Sequence, residues 1–377
     1  MKLGIERIDE FINIFKNKRV GLITNPTGVD KDLKTSVDIL NEKVKLTALF
    51  APEHGIRGNI EAGEKLSTYI DEVTNLTVYS LYGETRKPTK EMLSEVDVLC
   101  FDIQDVGARF YTYIYTMAYS MIAAKELNKE FVVFDRPNPL GGKIEGNILD
   151  LKYRSFIGYY EIPQRHGLTI GELAQLFNEE YKIGVKLHVI PMFGWKSDME
   201  YSDLNRNWIL PSPNLPTLES AYIYLSTCIF EGTNVSEGRG TTKPFSFIGA
   251  PWLNNRLIIR KLREFNVEGV VFREVYFKPT FSKYKDELCN GIEFIVTDFK
   301  KFRPVYFGMI LIILIRDNHE EFKFNKPYSE GREPMINLNI GSNYIKDKTK
   351  NLDEIKEMFQ VDDEIFEKIR RRYRLYD

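Results

Sequence analysis

The residues best suited to chemistry gather in two short stretches. Residues 230–242 read FEGTNVSEGRGTT and hold two carboxylates (Glu231 and Glu237), Asn234, Arg239, three glycines and four hydroxyl side chains. Apolar residues flank them, CIF at 228–230 and PFSFIGAPW at 244–252. Both ends of the polar loop are therefore anchored, as in loops that a scaffold holds for binding or catalysis. Residues 51–58 read APEHGIRG and supply Glu53, His54 and Arg57. Paired carboxylates suit glycosidic hydrolysis, in which a protonated group donates to the leaving oxygen and an ionised one acts as base or nucleophile. Arginine binds carboxylates bidentately, so several arginines near these acids imply an anionic group on the substrate.

The elements that must position these residues are legible as apolar runs. They lie at 20–24 (VGLIT), 45–50 (KLTALF), 77–81 (TVYSL), 96–102 (VDVLCFD) and 131–134 (FVVF). The runs are continuous rather than alternating, which predicts strands of a parallel sheet buried on both faces. Helical patterns fit 31–42, 89–95 and 112–127. Each strand ends in a polar segment, and ligands of open α/β sheets bind beyond the carboxyl ends of the strands. The side chains that fall there are Asn25; Glu53, His54 and Arg57; Tyr82; Asp102, Asp105 and Arg109; and Asp135, Arg136 and Asn138. Further on, His166 precedes a helix that Thr169 and Glu172 open as a capping box. A strand fits 187–192. The run PSPNLP at 211–216 is too proline-rich for a helix or central strand. It marks a boundary, giving domains 1–215 and 216–377, in keeping with a length of 377 residues. Beyond it, helices fit 255–265, 304–315, 352–359 and 362–373, and strands fit 269–277 and 292–297.

Other chemistries leave weaker traces. The nearest approach to a dinucleotide fingerprint, Gly238-Arg-Gly240, has Lys243 where the third glycine belongs, and no phosphate-binding P-loop occurs. No GxSxG surrounds a serine. The four histidines show no tight metal-ligand spacing, so His54 and His166 read as hydrogen-bonding residues, and neither a metal nor a cofactor is expected. The net charge of −2, with both signs interspersed, gives no reason to expect a nucleic-acid partner. Three widely spaced cysteines make no disulfide framework. The longest apolar run, MILIILI at 309–315, is far short of the ~20 residues that cross a bilayer.

The motifs LITNPTGVD, FAPEHGIRG, SLYGETRKPT, FDIQDVGARFYTY, DRPNPLGG, SFIGYYEIPQRHGLTIGELA, PSPNLPT, FEGTNVSEGRGTTKPF and GAPW follow one another in order. Together they resemble the bacterial exo-β-N-acetylmuramidase family, strongly over about residues 5–300. The resemblance implies a Rossmann-like α/β domain, an open and mostly parallel sheet with helices on both faces. It also implies a smaller α+β C-terminal domain and an active site in the cleft between the two. The implied activity is removal of terminal β-1,4-linked N-acetylmuramic acid from the non-reducing end of peptidoglycan fragments, in cell-wall turnover. The glutamate of the PEHG motif, here Glu53, becomes the expected catalytic acid, with Glu231 or Glu237 as its partner carboxylate. The lactyl carboxylate of N-acetylmuramic acid calls for a fixed cation, for which Arg57, Arg109, Arg136 and Arg239 are candidates. Asp102, Asp105 and Asn234 are expected on sugar hydroxyls and Tyr82, Tyr111 and Tyr113 against the ring. Asn25, His54, Asn138 and His166 complete the expected substrate site.

No leader with an apolar core is visible in MKLGIERIDEFINIF. Read as it stands, the chain is expected in the cytoplasm, or outside the membrane if a leader has been trimmed. Its expected partners are peptidoglycan-derived glycans. Two other functions fit the same residues: a muropeptide-binding or sensor protein, and a metal-assisted hydrolase using His54 and His166.

Overall fold

The computed structural model describes residues 1–53, 55–57 and 67–376. The first strands are β1 (Arg19–Thr24), β2 (Lys45–Ala51), β3 (Tyr69–Ile70), β4 (Thr77–Ser80), β5 (Val98–Asp102) and β6 (Glu130–Phe134). After the hairpin β7 (Glu145–Ile148) and β8 (Pro163–Arg165), β9 (Lys186–Ile190) returns to the main sheet. That sheet has seven strands in the order β3-β4-β2-β1-β5-β6-β9. Only the β3–β4 pair is antiparallel. Winding reverses between β1 and β5, so the polar loops after these strands diverge and leave a crevice at the sheet's carboxyl edge.

The strands are apolar on both sides because both sides are covered. Val98 and Cys100 of β5 join one core with Val20 and Leu22 of β1. Leu99 and Phe101 join the other, with Phe131 and Val133 of β6. The first core is closed by α1 (Ser36–Lys43), capped by Thr35 accepting from the Asp38 amide, and by a 3-10 helix over Ile5–Phe15. The second is closed by α2 (Tyr113–Glu126) and α3 (Ile170–Glu180). Thr169 and Glu172 form the expected capping box at the start of α3.

The second core continues into the C-terminal half. There α4 (Leu218–Thr227), α5 (Asn255–Glu264) and α6 (Pro304–Asn318) pack on an antiparallel sheet of β10 (Phe247–Ala250), β11 (Val270–Phe277) and β12 (Cys289–Val296). The run MILIILI lies in α6 and is a core segment, buried but for an intermediate Ile313. No helix among the described residues is long and apolar enough to cross a membrane. After α7 (Met335–Ile340), a single helix α8 (Leu352–Arg370) replaces the two expected in the tail. Nothing between 359 and 362 can break it, and Asn351 with Glu354 caps its start. The helix expected at 89–95 is a series of turns. Seven residues are too few to repay nucleation without strong packing.

The chain's end binds the two halves. Arg370 donates to the carbonyls of Gly142 and Gly167, the Leu375 amide to Glu172, and the Tyr376 hydroxyl to Asp135 at 2.6 Å.

Candidate active site

A cavity of about 390 Å³ opens between the carboxyl edge of the main sheet and the C-terminal half. One wall comes from the loops after β2, β4 and β5, which contribute Glu53, Tyr82, Arg86, Tyr111 and Tyr113. The facing wall comes from the turn after α4 and the loop that follows it, which contribute Glu231 and Arg239. Tyr328 and Arg332, from the segment before α7, also line the cavity.

Glu53 stands two residues past the end of β2, where the buried strand gives way to the crevice. Tyr82 is hydrogen-bonded to it. Burial first, then the Glu53 charge and that bond, push the Tyr82 hydroxyl up to about 12. Tyr82 is therefore a neutral phenol at ordinary pH and a donor beside the carboxylate. Tyr113 is also raised, chiefly by burial and with a further contribution from Glu53. Its hydroxyl donates to the Pro211 carbonyl at 2.9 Å, which fixes the ring. Tyr111 packs edge-on against both Tyr113 and Tyr224, with centroids 5.0 and 5.9 Å away. The result is a rigid aromatic cluster at the base of the cavity, with Tyr111 9% and Tyr113 2% exposed.

The opposite wall is a chain of alternating charges. Arg239 binds Glu231 at 2.6 Å and Glu237 at 3.3 Å, and Lys283 binds the other oxygen of Glu237 at 2.9 Å. Burial alone would lower the Arg239 guanidinium, but the charges of Glu231 and Glu237 overcome it and hold the group above its ordinary value. The two glutamates differ in exposure. The Glu231 side chain is 27% exposed and lines the cavity; Glu237 is 3% exposed and lies behind Arg239. Lys283 also donates to the carbonyls of Phe230 and Val235, so it stitches the loop from beneath. Asn234 pins the loop to the segment after α6, donating to the Glu321 carbonyl at 2.8 Å and accepting from the Lys323 amide at 2.7 Å. Gly240 has φ of +79°, and a Cβ there would meet the Phe281 carbonyl oxygen at 2.5 Å. No other residue fits that turn without strain.

Of the residues singled out in the sequence, the cavity gathers Glu53, Tyr82, Tyr111, Tyr113, Glu231 and Arg239. Others are engaged elsewhere. Arg57 forms a two-pronged pair with Asp71 at 2.8 and 3.0 Å. Arg136 does the same with Asp102 at 2.6 and 2.8 Å, with both groups buried. Arg109 is fully buried and donates to the carbonyls of Asn147, Ile162, Asn339 and Ile340, so its charge binds backbone from both halves. Asp105 accepts from the Gly107 amide and lies 3.3 Å from the His166 ring. His166, itself fully buried, accepts from the Leu168 amide. Asn138 bridges Leu168 and Leu140, and Asn25 accepts from Thr27. These groups brace the strand ends. His54 lies outside the described residues. Among the described residues no three His, Cys, Asp or Glu side chains cluster as metal ligands would.

The sequence reading passed over Arg86, Phe156, Ser212, Tyr224, Tyr328 and Arg332, all of which line the cavity. Arg86 lies in the motif SLYGETRKPT, four residues after Tyr82, and no local spacing marks it for the cavity. Arg332 belongs to NKPYSEGREP, a polar glycine-containing segment between helices, and no local spacing links it to Glu53.

The model of "Exo-beta-N-acetylmuramidase NamZ, N-terminal" matches residues 20–219, and that of the C-terminal domain of the same family matches residues 222–376. The chain is 50% identical over 384 residues to the peptidoglycan β-N-acetylmuramidase NamZ of Bacillus subtilis (strain 168), covering 100% of this chain and 91% of that protein. Among solved structures it resembles two DUF1343 family proteins of Bacteroides fragilis. One, BF0371, is 38% identical with a TM-score of 0.89; the other, BF0379, is 32% identical with a TM-score of 0.80. Each comparison covers 100% of this chain and 99% of the other.

Proposed function

The chain belongs to the exo-β-N-acetylmuramidase NamZ family, and from that membership we propose how its cleft works. The protein is a glycoside hydrolase that releases N-acetylmuramic acid from the non-reducing end of peptidoglycan fragments. The observation that carries the assignment of roles is that two carboxylates, Glu53 and Glu231, line one cavity from opposite walls.

Glu53 is the general acid. It gives its proton to the glycosidic oxygen as the bond from the muramic C1 to that oxygen breaks. The leaving sugar departs as the neutral alcohol. Glu231, paired with Arg239 at 2.6 Å, is the partner that activates water or attacks C1. In either course water supplies the oxygen that ends on C1: where Glu231 attacks C1, Glu53 takes a proton from the water that hydrolyses the glycosyl ester and is restored, and where Glu231 activates water, Glu231 takes that proton and releases it to solvent while Glu53 is reprotonated from solvent. Tyr82 donates to Glu53 and fixes its direction. Glu237 does not touch substrate. It acts through Arg239 and is a positioning residue for Glu231. The aromatic cluster of Tyr111 and Tyr113 receives the sugar ring. Residues 1–215 and 216–377 supply one wall each as two units, drawn together by the tail contacts of residues 370–376.

The test is product analysis on an N-acetylmuramyl-β-1,4-N-acetylglucosamine disaccharide. The unaltered chain should release both free sugars. Intact disaccharide after prolonged incubation with folded protein would contradict the activity.

A further inference from the structure

Muramic acid differs from N-acetylglucosamine by a lactyl ether that ends in a carboxylate. A cleft selective for it needs a cation that the protein has not already neutralised. The arginines that the sequence brought forward do not meet this need. Arg57 is held by Asp71, Arg136 by Asp102, and Arg239 by Glu231 and Glu237. Arg109 is sealed among carbonyls away from the cavity.

Two other arginines line the cavity, Arg86 and Arg332, and among the described residues neither is paired with a carboxylate. The Arg86 guanidinium stacks on Phe156, 4.0 Å from the ring centroid, and lies 6.0 Å from the centroid of Tyr82. Stacking holds the plane of the group while leaving its N–H edges free to grip an anion in that plane. Tyr82 is the hydrogen-bond partner of Glu53, so Arg86 stands one ring away from the proposed acid. Arg332 comes from the other side of the chain. Its amide closes a turn on the Ser329 carbonyl, just before Pro334 opens α7. The adjacent Glu333 carboxylate accepts from Asn337 at 2.8 Å, and among the described residues it forms no ion pair with Arg332.

We propose that Arg86 and Arg332 bind the lactyl carboxylate of the muramic residue and set the selectivity of the cleft over N-acetylglucosamine. The proposal rests on the exo-muramidase reading above. Arg239 is then an orienter of Glu231 and not the anion grip. A sugar entering the cleft covers both arginines, so a contact that would be weak at an open surface becomes charge-assisted and partly desolvated.

The experiment compares the unaltered chain, Arg86→Met, Arg332→Met and the double variant on 4-nitrophenyl β-N-acetylmuramide and 4-nitrophenyl β-N-acetylglucosaminide. Each single change should lower kcat/KM on the muramide about tenfold, and the pair about a hundredfold, the effect of losing charge-assisted hydrogen bonds. The loss should lie mainly in KM, and turnover of the glucosaminide should stay as it was. Arg332→Lys should recover part of the loss. Unchanged melting temperatures confirm that the variants fold. An unaltered preference for the muramide in the double variant overturns the proposal. So does a loss seen only when the lactyl group carries a peptide with its own acid groups. If the unaltered chain cleaves neither glycoside, the activity reading fails by itself. Selectivity is then read by calorimetry with free N-acetylmuramic acid and N-acetylglucosamine, where the double variant must still lose its preference.

Discussion

Replacing Glu237 by Gln tests whether the charge chain behind Glu231 is part of the machinery. The change keeps side-chain shape but removes the charge that Lys283 and Arg239 share. It also turns one amide N–H₂ toward a cation. Glu237 is 3% exposed, and breaking a buried pair costs about 3–5 kcal/mol. Its partners are less enclosed, with Lys283 at 23% and Arg239 at 25% exposed, so solvent recovers part of that. We expect about 2 kcal/mol, near the value of a single charge-assisted hydrogen bond. For a chain of 377 residues, with an unfolding entropy of about 2.1 cal/mol/K per residue, this lowers the melting temperature by roughly 2–3 °C. Arg239 then loses one of its two fixed partners, and Glu231 gains freedom at the cavity wall. A misplacement of ~1 Å can cost a factor of about 100 in rate, so a partial loosening should lower kcat about tenfold. KM should hold, since Glu237 does not line the cavity. Calorimetric melting and steady-state kinetics on the muramyl disaccharide measure both effects. A melting temperature within 1 °C or so of the parent, or kcat within about twofold, would refute the reasoning, since both effects are worked from charge-pair energies. A lower melting temperature with intact kcat would reduce Glu237 to a structural residue.

Three more predictions follow from the framework around the cleft. Arg136→Met leaves Asp102 buried and unpaired and should destabilise the protein by about 3–5 kcal/mol, read as a lower denaturant midpoint. Asp135 is pushed up to about 7 by burial, which outweighs its hydrogen bonds from Tyr376, Gly171 and Thr169. The folded state therefore holds a proton that the unfolded chain, with an ordinary Asp value of about 3.9, has released. The stabilisation is complete below about pH 4 and is lost as pH rises toward 7. Asp135→Asn should flatten the fall in melting temperature over that window, and an unchanged slope would contradict it. Mutating Arg86 and Arg332 together should lower muramide selectivity with no change in melting temperature.

The sheet was legible because its strands are buried on both faces, which leaves unbroken apolar runs such as VLCFD and FVVF. The placement of polar side chains beyond those runs led to Glu53 for the same reason. Partners were not legible. That Asp102 neutralises Arg136, or that Arg109 serves carbonyls of both halves, depends on contacts between residues distant in sequence. Glu231 and Glu237 look alike in FEGTNVSEGRGTT, yet the fold turns one toward the cavity and the other beneath Arg239. Arg86 and Arg332 carried no local mark, since an arginine that faces a cleft reads like one that faces water. The continuous α8 shows the opposite error, a break expected where the sequence contains no helix breaker.

The most direct measurement of the central claim is single-turnover hydrolysis of the muramyl disaccharide by Glu53→Gln. The substitution keeps the size of the side chain and its contact with Tyr82, so the protein should melt like its parent. Turnover should fall at least ~100-fold, the lower range for a lost acid–base group. A correctly folded variant that turns over at the parental rate would remove Glu53 from the chemistry, and with it the pairing of Glu53 and Glu231 across the cleft.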